Sequence, residues 1–333
     1  MKHLLFVVCA VLLVMSCGGE DDVSVLFPVK EDGDWGFIDP RGNYAIPPGF
    51  DFASGFSHGM ARVLIDGQWG FIGRDGSFRI EPRFDNASDF TEGLARVQVD
   101  GMWGFIDTTG TFVIDPSLEH KPGDFSEGMS RIEIAGRYGF MDTSGETVIE
   151  PVYDRVLFFS GGYAVVEMND QWGAVDSSGY LAIAPEYDGM FGFTYGLATV
   201  IVDSLWGMID ENGEFVIEPL YDSPLFIYEG ILLTRSGAGW GALDLAGDTL
   251  WTITCDEMDD ISEGLVSIRI GDEWGFCDTD GNMVIQPRFN DVGIFSGGPA
   301  PVLVDDKWGF VDRQGEFVVQ PRFDYLEKFR GWE

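Results

Sequence analysis

Histidine is scarce: three in 333 residues, with His3 in the N-terminal leader and His58 and His120 in separate connecting segments. Neither a Ser–His–Asp triad nor a histidine-rich zinc site assembles readily from these. Positive charge is also scarce, since 20 Lys and Arg face 56 Asp and Glu for a net charge of −36. Without a basic stripe there is little to displace counterions from phosphates, which excludes a nucleic-acid binder. The polybasic patch of a membrane-surface protein is missing for the same reason. No G-x-x-x-x-G-K-[ST] phosphate loop occurs. Beyond residue 15, no apolar run approaches the roughly 20 residues that span a bilayer. Glycine, by contrast, is plentiful at 45 residues, and aromatics make up 14 % of the chain. That content is too apolar for an acidic disordered tail.

The leader is a short basic start, Lys2 and His3, followed by an apolar run over residues 4–15. Twelve apolar residues suit a secretory h-region and are too few for a transmembrane helix. The run ends in Val14-Met15-Ser16-Cys17, which resembles the lipobox of bacterial lipoproteins. That resemblance implies cleavage after Ser16, a signal peptide over 1–16 and a lipid on Cys17. Residues 17–22 then form a short tether of Gly18 and Gly19 with acidic Glu20, Asp21 and Asp22. Gly18 after the cysteine resembles outer-membrane sorting, and the acidic stretch resembles surface-export signals. The expected location is therefore the cell envelope, at the outer membrane or cell surface ahead of the inner membrane.

Residues 23–333 are one unit repeated nine times. Trp-Gly recurs at Trp35, Trp69, Trp103, Trp172, Trp206, Trp240, Trp274 and Trp308, and Tyr138-Gly139 fills the single gap. Every step is 34 residues except that from Trp103 to Tyr138, where one extra residue sits in the connector at 119–123. Alternating apolar and β-branched residues around each Trp indicate strands. Asp100-Gly101 lies between two such runs as a two-residue hairpin turn, and Asp32-Gly33 and Asp66-Gly67 repeat it. A second turn, Asp-x-x-Gly, keeps its glycine in all nine copies and its aspartate in eight, Gly73 being the exception. Each unit thus reads as a three-stranded antiparallel meander, ended by proline in eight copies and followed by an aromatic-Asp connector. Twenty aspartates fall at three such turn slots, so much of the acidity is turn chemistry multiplied by nine.

In Trp103-Gly104-Phe105-Ile106 both faces of the strand are apolar, which excludes a sheet with one wet side. The units must stack face to face, with the glycine expected to leave a hollow for a neighbouring unit's Trp. The last unit keeps the consensus and shows no polar cap. This favours a β-propeller-like ring, with an open β-solenoid as the alternative.

The array of G-L-A-x-V, D-G-x-W-G-F-I-D, G-x-F-V-I-x-P and F-D resembles the bacterial WG-repeat family across all nine units. The seventh departs most, with Ile253 in place of the proline and Cys255 in place of the aromatic. The resemblance implies a β-rich repeat array in envelope or exported proteins and carries no catalytic residues. The expected function is a lipid-anchored binding or scaffolding module for protein partners, not an enzyme. The alternative is a carbohydrate-binding envelope protein using connector aromatics and carboxylates.

The tryptophans read as core, whereas Phe158, Phe159, Phe191, Phe193 and Tyr195 in the connectors are candidates for an exposed contact surface. No cofactor and no metal are expected. Asp278-Thr279-Asp280-Gly281-Asn282 looks like the start of a calcium loop but lacks its glutamate and coincides with the ordinary turn. Asp256, Glu257, Asp259 and Asp260 are the remaining candidates for a loosely held calcium. Cys255 and Cys277 occupy apolar slots and read as buried thiols, with a disulfide between neighbouring units as the other reading.

Overall fold

The computed structural model describes residues 25–236 and 239–326. Cys17, the leader and the tether lie outside the described residues. In the third unit, strands Leu94–Val99, Met102–Asp107 and Phe112–Leu118 form the expected meander. Asp100 and Gly101 both take positive φ, +52° and +81°, as a type I′ hairpin requires. The glycine of the second turn, Gly110, sits at φ +83°. A residue with a Cβ would be strained there.

In seven of the nine blades a fourth strand joins the meander from the connector before it. Asn86–Ala87 pairs with the first long strand of the third unit, Asn86 opposite Gln98 and Ala87 opposite Val97. An eighth sheet, the first, is also four-stranded and takes its fourth strand from the far end of the chain. The fourth sheet has three, and it is the one preceded by the extra residue at 119–123. The lengthened connector thus stands where the other blades have a short strand.

The last described strand, Tyr325–Leu326, pairs with Phe27–Glu31 and completes the first sheet, Val29 facing Leu326 and Lys30 facing Tyr325. The array is a closed nine-bladed β-propeller, and the open solenoid is set aside. The closing junction repeats the internal ones. Arg322 donates to the Gly42 carbonyl at 2.6 Å across the closure, as Arg83 does to Gly110 at 2.7 Å between blades 2 and 3.

The core lies between blades. Trp35, Phe37, Ile46 and Phe50 of the first blade pack on Ala53, Ala61, Val63 and Ile72 of the second. Phe71, Ile80 and Phe84 repeat this against Ala87, Ala95, Val97 and Ile106. A bulky aromatic face thus meets a small aliphatic one, and alanine supplies the room the Trp needs.

The Trp-Gly glycine has a different role from the one expected. A Cβ on Gly104 would lie 2.5 Å from the Ile114 carbonyl oxygen and 2.8 Å from Pro116 N, within its own sheet. Trp103 pairs with Leu118 and Phe105 with Ile114, so residues 115–117 bulge opposite Gly104 alone. The glycine makes room for this bulge. The proline sits inside it and does not end the strand, which runs on through the position of the aromatic, as in Phe78–Phe84. A bulge is one of the few places in a sheet that tolerates a residue with no N–H to donate. The seventh blade, without that proline, pairs Trp240 with Ile253, Gly241 with Thr252 and Ala242 with Trp251 in unbroken register. Its glycine is correspondingly less crowded, 3.3 Å from the nearest carbonyl oxygen.

Candidate binding site

The signature aromatics belong to the core as expected. Trp35, Trp103, Trp172, Trp274 and Trp308 are buried, and Trp69, Tyr138, Trp206 and Trp240 are half-buried. Among the connector aromatics the expectation needs correction. Phe159 and Phe193 are fully buried, Phe159 with its ring 4.8 Å from Phe140 and Phe193 4.8 Å from Tyr163. They close the seam between blades. Phe158 and Phe191 are half-buried, and only Tyr195 of this group is exposed.

Most of the aspartates are absorbed by turns. Asp107 Oδ1 accepts the N–H groups of Thr109 and Thr111 at 2.8 and 3.0 Å. Where Gly73 replaces the aspartate, Asp75 accepts from Ser77 instead. The aspartate after the strand-ending aromatic caps the hairpin of the blade that follows: Asp85 Oδ2 accepts from Asp100 N at 2.8 Å, and Asp188 from Asp203 N at 2.8 Å. A third set of turns joins the short strand to the first long one. There Glu92 accepts from Glu127 N and Gly128 N of the next blade, and Glu127 from Gly161 N and Gly162 N of the one after.

Asp278 follows the same pattern, accepting from Asp280 N and Asn282 N, so the calcium-like string is an ordinary turn. Asp256 caps Gly271 N, and Glu257 pairs with Arg269. Among the described residues no three His, Cys, Asp or Glu side chains converge to hold a metal ion. His58 and His120 face solvent. Cys255 and Cys277 are buried in one apolar cluster and unbridged. Burial pushes their thiols up, to about 11 and about 12 respectively.

The few cations are distributed very unevenly. Arg62, Arg96 and Arg131 occupy one slot in three successive blades, opposite Phe71, Phe105 and Phe140 of the middle strands. Each guanidinium lies over the signature ring of its own blade, 4.6 Å from Trp69, 5.6 Å from Trp103 and 6.0 Å from Tyr138. Lys121, in the lengthened connector, joins Trp103 at 5.8 Å, and Arg155 lies 4.8 Å over Trp172. Arg96 is held below its ordinary value by burial, opposed by the Asp124 carboxylate 3.1 Å away. Lys121 is lowered as well, by the Arg96 charge first and by burial second. The like charges therefore act on one another.

Beside this arc lies a cavity of about 240 Å³ between blades 4, 5 and 6, next to the blade that lacks a short strand. Arg131, Arg155, Tyr138, Trp172 and Phe191 line it over an apolar patch that includes Met190. Arg155 donates through Nε and Nη2 to the two oxygens of Glu167, whose side chain is only 5 % exposed. That pair raises the Arg155 pKa and fixes its plane against Trp172. Sequence reasoning missed this site. Its one legible trace was arginine recurring at 62, 96 and 131, in register with the repeat.

Together the ring and its site define a β-propeller with a cationic, aromatic recess. The WG-containing repeat model matches residues 35–69, 69–103, 103–138, 138–172, 172–206, 206–236, 274–308 and 308–331, and the chain belongs to that family. The stretch left unmatched contains most of the seventh unit, the blade that lacks the bulge. No curated protein matches the chain. Among solved structures, a eukaryotic initiation factor is similar over 92 % of this chain and 98 % of its own, with a TM-score of 0.65 at 9 % identity. That likeness is one of fold. Hsv2 of Kluyveromyces lactis aligns over 69 % of this chain and 94 % of its own, with a TM-score of 0.41 at 9 % identity. PorZ, a bacterial surface component of the type-IX secretion system of Porphyromonas gingivalis, aligns over 89 % of this chain and 53 % of its own, with a TM-score of 0.35 at 9 % identity. Scores this low have no bearing on function.

Proposed function

We propose that the protein is a non-catalytic binding module of the bacterial cell envelope, held by a lipid on Cys17 and presenting its ring to a protein partner. The observation that supports this reading is the employment of the carboxylates. The carboxylates that recur with the repeat are committed to backbone N–H groups in turn after turn. What varies from blade to blade is the set of side chains on a constant frame, the usual basis of recognition by repeat proteins.

The anchor is tested by feeding cells an alkyne fatty acid. Label and membrane association should both be lost in Cys17→Ser. The module is tested by cross-linking in intact cells, where a discrete partner should be captured by the wild type. A reproducible turnover abolished by one substitution would overturn the reading. A second reading, recognition of a carbohydrate, is favoured by the aromatic and cationic lining of the cavity between blades 4 and 6.

A further inference from the structure

We infer that the cavity between blades 4 and 6 binds a small carboxylate carried on a six-membered ring. This rests on the reading of the ring as a binding module and adds the chemistry of one ligand. The first support is a row of arginines that the frame itself does not require. In the six other blades the slot of Arg62, Arg96 and Arg131 holds Pro28, Val165, Thr199, Leu233, Ser267 and Pro301, all uncharged, in the same frame. Arg96 is more than nine-tenths buried, and its Nε finds no hydrogen-bond partner among the described residues. Arg96 and Arg62 have carboxylate partners in Asp124 and Asp89, so Arg131, which borders the cavity, is the member of the row left without one among the described residues.

The second support is the set of donors at the cavity itself. Arg131 is exposed and makes no ion pair or side-chain hydrogen bond among the described residues. Arg155 spends Nε and Nη2 on Glu167 and keeps Nη1 uncommitted. Two guanidinium edges are thus available to a carboxylate, whose planar geometry they match.

The third support is the lining. Tyr138, Trp172 and Phe191 line the cavity with aromatic surface, and stacking on Trp206 at 5.5 Å and 28° holds the Phe191 ring in place. A ligand that brings a flat apolar body along with its charge uses both features at once. Size and field narrow the class further. About 240 Å³ falls below the roughly 300–1,000 Å³ of pockets for drug-sized ligands, which leaves room for a single ring. A molecule of net charge −36 repels long polyanions, so the ligand carries one or two charges. A sugar acid and an aromatic acid share this chemistry.

Calorimetric titration of the full-length protein at low salt, with glucuronate, 4-hydroxybenzoate and glucose as probes, separates the outcomes. At least one carboxylate should bind one-to-one, and glucose should bind at least tenfold more weakly. Tighter binding of glucuronate assigns the site to a sugar acid, and tighter binding of 4-hydroxybenzoate to an aromatic acid. Arg131→Ala should weaken the carboxylate at least tenfold, Arg131→Lys should retain part of the affinity, and Arg79→Ala, outside the site, should change nothing. A melting curve on each variant confirms that it is folded. The inference fails if neither carboxylate binds, if glucose binds as tightly, or if folded Arg131→Ala binds undiminished. A partner captured in cells without carboxylate binding would sink this inference and leave the binding module standing.

Discussion

At the residue scale the glycine of the Trp-Gly pair gives a controlled comparison within one molecule. In blade 3 an added methyl group would meet a carbonyl oxygen at 2.5 Å and a proline nitrogen at 2.8 Å, both backbone atoms. Gly104→Ala should therefore destabilise by about 1–3 kcal/mol through overpacking. Gly241→Ala, in the blade without the bulge, should shift the denaturation midpoint much less. Equal losses in paired urea titrations would refute this account of the dipeptide. The two buried cysteines make a second prediction. Thiols pushed up to about 11 and about 12 stay protonated near neutrality, and only the thiolate is nucleophilic. Iodoacetamide at pH 8, mapped by peptide mass, should leave Cys255 and Cys277 unlabelled in the native protein and label both in urea. The apolar character of these slots was legible from their counterparts in other copies. The recess was not, because Arg155 and Lys121 stand outside the slot shared by Arg62, Arg96 and Arg131 and join it only through packing between blades.

At the scale of the element, stability against acid should follow the turns. The hydroxyl groups of Thr109, Ser144 and Ser178, donating to Asp107, Asp142 and Asp176, hold these carboxylates below the usual range. A depressed folded pKa adds stability above the unfolded value of about 3.9, and this is lost as pH falls through the lower folded value. The melting midpoint should thus begin to fall near pH 4, with a shallower fall when all three aspartates are changed to Asn. An unchanged slope in the triple variant would count against the turns as its source. Turn glycines, hairpins and the 34-residue period were readable because each is a local demand of the backbone on its own residues. The fourth strand was not, since two residues such as Phe52–Ala53 are too short for any alternation to register. The bulge was equally hidden. A proline after alternating apolar residues marks a strand end or an interior bulge with the same letters, and only the pairing of Trp69 with Phe84 distinguishes them.

At the scale of the whole molecule, closure depends on one short strand. Asp324→Pro removes the N–H that donates to the Lys30 carbonyl at 3.2 Å, and should unlatch the first blade. A lower melting midpoint, by about 5 °C or more, and association through the freed edge are expected, read by calorimetry and size-exclusion chromatography. A variant as stable and monomeric as the wild type would show that the ring holds without its latch. The latch also sets an order of events. Lys30 and Tyr325 stand roughly 300 residues apart, so joining them in a flexible chain costs about 2 kcal/mol more than closing a single 34-residue unit. Neighbouring blades are built from residues close in sequence, whereas the first blade waits for the far end of the chain. Its assembly is the slow, late step, and until the last repeat has emerged and folded, the opening strand keeps an unsatisfied edge.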